Sequence, residues 1–163
     1  MARNLGLLAG IGLSAALAGG AAAQPLTHHD IGIHLALDMV HAAIAECEAK
    51  GLSVSVVVLD TAGRIRALAM ADRGGAHTVE LARRKAYTAL TFQRPGRDWI
   101  AATPADSPDA GERELAEVLT LPGGQPVKVG EETIGAVGVA GSTLATDEAC
   151  AKTAAALIDA RKP

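Results

Sequence analysis

Apolar positions recur along this chain with two different periods, and the switches between them divide it into elements. From Ile31 to Lys50, the residues Ile33, Leu37, Val40, Ile44 and Cys47 fall at helical spacing, and Gly51 stands where a helix stop belongs. An amphipathic helix is expected there. The β-branched run LSVSVVVLD, the turn Asp60-Thr61-Ala62-Gly63 and the partly alternating RIRALAMAD then predict a β-hairpin. After the Gly74-Gly75 break, a second helix is predicted from Ala76 to Phe92. Its apolar stripe would be Val79, Ala82, Ala86, Ala89 and Leu90, with Arg83, Arg84 and Lys85 spread around the other side.

Residues 93–108 contain Pro95, Pro104 and Pro108 and predict a long loop with a turn of helix near Trp99. Loops of that length are often functional. GERELAEVL is compatible with a short helix. A second hairpin is expected from Pro126 to Val129 and from Thr133 to Ala140, turning at Gly130-Glu131-Glu132, and a last helix from Asp147 to about Arg161 with Cys150, Ala154, Leu157 and Ile158 on its stripe. Antiparallel hairpins alternating with helices make an α+β fold, and purely parallel winding does not fit.

The first 23 residues follow a different logic. One basic residue, Arg3, precedes an apolar run from Leu5 to about Leu17, then Gly19-Gly20 and Ala21-Ala22-Ala23. This is the layout of a signal peptide, with cleavage expected after Ala23 and no membrane span left afterwards. Residues 24–163 then form one domain, and a periplasmic or secreted location follows. Loss of Arg3 moves the formal charge from -3 to -4. With no basic run, nucleic acid is not an expected partner.

An oxidising compartment permits Cys47 and Cys150 to pair, although each lies on an apolar stripe and two separate buried thiols are the alternative. Tyr87, Phe92 and Trp99, the whole aromatic complement, share one window, and a pocket needing flat apolar walls would have to draw on it or use Leu, Ile and Val.

Gly135, Gly138 and Gly141 recur every third residue. A dinucleotide fingerprint needs glycines between strand and helix and an acid about 20 residues on, whereas these lie within the strand and the chain ends soon after. Strand glycine marks close approach by something else. Ala136, Gly138 and Ala140 share one face, suited to a helix, a neighbouring subunit or a flat ligand.

LPGGQPVKVGEETIGAVGVAGSTLATDEACAKTAA resembles the C-terminal signature of the GlcG/HbpS family of haem-binding proteins, in its Gly-Gly-x-Pro opening, its Ile-Gly-Ala-x-Gly-Val strand and its Asp-Glu-x-Cys-Ala helix start. VSVVVLDTAGRIRALAMAD is similar to that family's first hairpin, and ARRKAYTAL to its Lys-Ala-x-Thr-Ala helix. The resemblance implies a profilin-like three-layer α/β/α domain with a five-stranded antiparallel sheet, homo-oligomeric assembly and haem binding. Such a fold would set the first and last helices side by side, where Cys47 and Cys150 could meet. One departure is MADRGGA, which lacks the Arg that many relatives carry before Asp72, so an anion contact made by that Arg is in doubt.

Haem iron is typically held by His, Met, Cys or Tyr, and its propionates favour Arg or Lys. His77 is the first candidate iron ligand, with Arg83, Arg84 or Lys85 on the propionates and Tyr87 nearby; a plain helix-start histidine is the alternative. His34, Asp38 and His41 occupy one helical strip, where His34 and His41 could hold iron with Asp38 orienting a ring, or form a solvated helix edge beside His28 and His29. No GxSxG elbow supports Ser142 as a nucleophile. The expected role is haem capture or buffering, with slow haem degradation as a side reaction, and binding rather than catalysis. The alternative is a small-molecule enzyme or accessory factor of an exported oxidoreductase, its pocket near Asp72, Arg73 and the 93–108 loop; a purely structural oligomeric partner is a third reading.

Overall fold

A computed structural model describes residues 27–161; the leader expected at residues 1–23 lies outside them. The elements run α1 (Ile33–Glu48), β1 (Ser55–Leu59), β2 (Ile65–Met70), α2 (Thr78–Thr91), α3 (Gly96–Ala102), β3 (Gly124–Val129), β4 (Glu132–Ala140) and α4 (Leu144–Ala155), with 3-10 turns at Ala110–Glu114 and Ala156–Arg161. Among the described residues the sheet has four strands rather than five, in the order β2-β1-β4-β3, and every neighbouring pair is antiparallel. The strand patterns in the sequence supply only these four segments. The Pro-rich stretch 93–108, expected as a long loop with a turn of helix near Trp99, carries α3, which Pro95 precedes as its capping residue.

Each sheet face has its own core. Val56 and Val58 of β1, Val137 and Val139 of β4 and Val127 of β3 pack under Met39, Val40, Ala43 and Cys47 of α1 and Cys150, Ala151 and Ala154 of α4. The opposite face sets Val57, Leu59, Ala136 and Ala140 against Ala82, Ala86 and Ala89 of α2. This is a three-layer α/β/α arrangement. Covered on both sides, β1 is buried at all five positions, which is why it reads as a continuous apolar run.

α2 brings small side chains to its interface, so it comes close. Gly124 and Gly138 are cross-strand partners. A Cβ on Gly138 would lie 2.0 Å from the Ala82 carbonyl oxygen, and one on Gly124 would lie 2.0 Å from that of Lys85. The bare face of β4 is therefore occupied by a helix. On the other side, Cys47 and Cys150 form a disulfide joining α1 to α4.

α4 begins at Leu144, three residues before the expected Asp147, because Thr143 caps it: its hydroxyl accepts from the Thr146 N–H at 3.3 Å. Lys85 is a second correction. The sequence pattern put it on the outer side of α2, yet it is 2% exposed, held by an acid from α4.

Candidate functional site

The N-terminal turn of α2 meets the ends of β1 and β4 and the start of α4 around an open cleft of about 330 Å³, lined by residues that include Ser53, Arg73, His77, Leu81, Lys85 and Ser142. Thr78 fixes one wall. Its hydroxyl shares a 2.7 Å hydrogen bond with Ser55 of β1 and lies 2.7 Å from the Gly75 carbonyl, pinning the first turn of α2 to the sheet.

The floor is ionic. Lys85 Nζ donates to Asp147 Oδ2 at 2.7 Å and to the Val139 carbonyl at 3.0 Å. Asp147 Oδ1 accepts from the Ser142 amide at 3.0 Å and from its hydroxyl at 2.7 Å. A buried charge is tolerated only when it is paired and hydrogen-bonded, and this carboxylate satisfies both conditions. The pair ties α2 to α4 around the end of β4 and holds the Ser142 turn in place. With its hydroxyl bonded to Asp147 and to no histidine among the described residues, Ser142 lacks the base that nucleophilic catalysis requires.

His77 occupies the residue before α2, is exposed, and makes no side-chain capping bond. Its ring has no hydrogen-bond partner among the described residues, and Leu81, Leu121 and Leu144 offer apolar surface and Arg73 a cation around the same cleft. Arg73 is the residue the candidate cations omitted; its place directly after Asp72 in the irregular MADRGGA stretch was the available signal. The clefts that Arg73 lines contain no residue from 93–108.

The other candidates are distributed elsewhere. Arg83 is bonded to Glu80 at 2.8 Å and to Glu117; the Glu80 hydrogen bond holds its guanidinium further above the ordinary arginine range. Arg84 donates to the Val118 carbonyl at 2.7 Å. With Lys85 committed to Asp147, all three of these cations already have protein acceptors. Tyr87 faces a separate cleft at the far end of α2. Phe92 stacks on the buried Trp99 at 4.6 Å between ring centroids.

His34 and His41 are exposed on α1, in the layer across the sheet from His77. His29 Nδ1 lies 2.7 Å from Glu132 Oε2, and this bond and that of the His29 amide lower the Glu132 carboxyl pKa. Among the described residues no group of three His, Cys, Asp or Glu could hold a metal ion by itself, and no helix is long and apolar enough to cross a membrane.

A haem group suits the His77 cleft in the chemistry of its donors: the His77 imidazole for iron, leucines for the macrocycle, and Arg73 with the Ser53 hydroxyl for carboxylates. The cleft is open, so a macrocycle seated there would extend beyond it.

Residues 31–156 match the model of a family described as haem degrading protein HbpS-like. A crystal structure of HbpS superposes with a TM-score of 0.75 at 29% identity, covering 88% of this chain and 99% of that one. The protein ORFY of Klebsiella pneumoniae gives 0.79 at 22% identity, with 85% and 97% covered. A PduOC:heme complex gives 0.71 at 21%, with 78% and 94% covered. Comparison with curated protein sequences returned no match.

Proposed function

The chain belongs to the HbpS-like family, and from that premise we propose that it binds haem at the cleft beside His77. The observation that carries this reading is the exposed His77 imidazole, unengaged among the described residues, in a cleft that also holds Arg73 and three leucines. Bound haem would supply redox-active iron. The chain's own part is to offer the His77 nitrogen as ligand, to seat one edge of the macrocycle on Leu81, Leu121 and Leu144, and to pair a carboxylate with Arg73. Lys85 and Asp147 act indirectly by fixing the walls.

The biological reading is capture or buffering in the periplasm or outside the cell, with slow peroxide-dependent loss of haem as a side reaction. The leader-like residues 1–23 and the Cys47–Cys150 disulfide support export. Homo-oligomeric assembly completes the proposal. Its support is the uncovered face of edge strand β2, where Ile65, Leu68 and Met70 are each nearly half exposed. Sedimentation velocity of residues 24–163 tests it, and a monomer at all concentrations would refute it.

Hemin titration is the direct test of haem binding. A saturable Soret shift is expected, at least about tenfold weaker in His77→Ala, which corresponds to ~1.4 kcal/mol, and unchanged in His34→Ala and His41→Ala. A spectrum identical to free hemin would remove the reading. Loss confined to the α1 variants would move the site to the other layer. Peroxide added to the complex separates buffering, in which the Soret band persists, from rapid degradation.

A further inference from the structure

The geometry points to a second binding site, for a neutral, hydroxyl-rich ring such as a pyranose sugar, in the cleft at the C-terminal end of α2. This cleft has a volume of about 410 Å³, within the range of roughly 300–1,000 Å³ typical of small-molecule sites. It lies between the β1–β2 turn, the end of α2 and the start of β4, and takes nothing from the His77 cleft.

Charge decides the ligand class. Apart from the Tyr87 phenol, no ionisable side chain among the described residues lines the cleft, so a carboxylate or phosphate would find no ionic partner among them. Desolvating an unpaired charge is costly. The polar side chains present are hydroxyls and an amide: Thr61, whose hydroxyl already donates to Asp30, and Tyr87, Thr91, Gln93 and Thr133. Each can both donate and accept, which is what a sugar hydroxyl requires. The Thr133 hydroxyl oxygen is buried without a hydrogen-bond partner among the described residues, an orphan that a ligand hydroxyl would satisfy.

Shape agrees with charge. Tyr87 packs against the α2 core, and the turn presents Gly63 to its ring: a Cβ there would lie 3.6 Å from Tyr87 Cε2. The Gly63 φ of 74° is one the turn demands of glycine. The phenol ring and Leu90 together offer apolar surface for the C–H face of a sugar. Asp30 braces the opposite wall, accepting from the Thr61 amide at 3.1 Å and its hydroxyl at 3.2 Å. Finally, Gln93 holds a left-handed backbone at φ 53°, a strained conformation for a non-glycine residue. Glycine would adopt it without that strain, and would remove the amide from the rim.

Saturation-transfer NMR with glucose, galactose and N-acetylglucosamine at millimolar concentration tests the site. Transfer to at least one of them is expected, with affinity falling about tenfold in Tyr87→Ala and measurably in Thr133→Val, a near-isosteric change that keeps the fold. Tyr87→Phe, retaining the ring, should lose less than Tyr87→Ala. Glucuronate should bind no more tightly than glucose. The proposal is overturned by no transfer from any of the three sugars, by unchanged transfer in both Tyr87→Ala and Thr133→Val, or by tighter binding of glucuronate.

Discussion

Gly138 shows how much one hydrogen atom can decide. Because its missing Cβ would stand 2.0 Å from a helix carbonyl, Gly138→Ala forces α2 off the sheet, and overpacking of this kind costs about 1–3 kcal/mol or more. Gly111, with nothing within 4 Å, is the control: its alanine variant should stay within about 0.5 kcal/mol of the parent. Urea midpoints of the two variants check this, and equal midpoints would contradict the packing.

Two buried acids, Asp60 and Glu148, contribute to the pH response. Burial alone would raise the Asp60 carboxyl, but the Arg64 amide and guanidinium and the Ala62 amide outweigh it and hold the pKa below its usual value. Glu148 behaves alike: burial raises it, and Lys152 and Arg97 lower it further. A carboxyl with a depressed folded pKa contributes its full stability above the unfolded value, about 3.9 to 4.3, and loses it as pH falls through the folded value. Thermal melts should therefore hold steady towards neutral pH and drop below about pH 4, with a shallower acid fall in Asp60→Asn.

At the scale of elements, the hydrophobic period located both hairpins and the helices to within a few residues, because each of these segments buries a face with its own repeat. What the period could not register was the partner of a charged residue. Lys85 follows Arg83 and Arg84 and looks like more solvated surface; it is buried because Asp147, 62 residues later, arrives at the same place through α4. Lys85→Met should cost about 3–5 kcal/mol by stranding the buried carboxylate. Adding Asp147→Leu should recover part of that loss, a coupling that denaturation of the single and double variants measures.

The disulfide joins α1 to α4 over a separation of 103 residues. Closing a loop of about 100 residues contributes up to roughly 4.7 kcal/mol through the unfolded chain. Reduction, or Cys47→Ala with Cys150→Ala, should lower the urea midpoint accordingly. Intact mass of exported protein should match the oxidised form, and two free thiols would exclude the bond in solution.

For the whole molecule, the layer order limits how haem could be held. His77 stands on the α2 side of the sheet, and His34 and His41 belong to α1 on the other. Helix and sheet layers are spaced by something on the order of 10 Å, so no single copy can place His77 and an α1 histidine on the two faces of one porphyrin. The sequence put His77 first but could not separate it in space from His34 and His41, because a list of residues has no sides; the sheet sorts them. A hemin complex of isolated single copies should therefore show one protein imidazole on iron, with the other axial position open to added imidazole or cyanide. His77→Ala should abolish that ligation, and His77→Ala with His41→Ala should lose no more than His77→Ala alone, since sites in separate layers do not couple. A bis-histidine spectrum that persists on dilution to single copies would contradict this placement. One that vanishes on dilution would mean that the second imidazole comes from another copy.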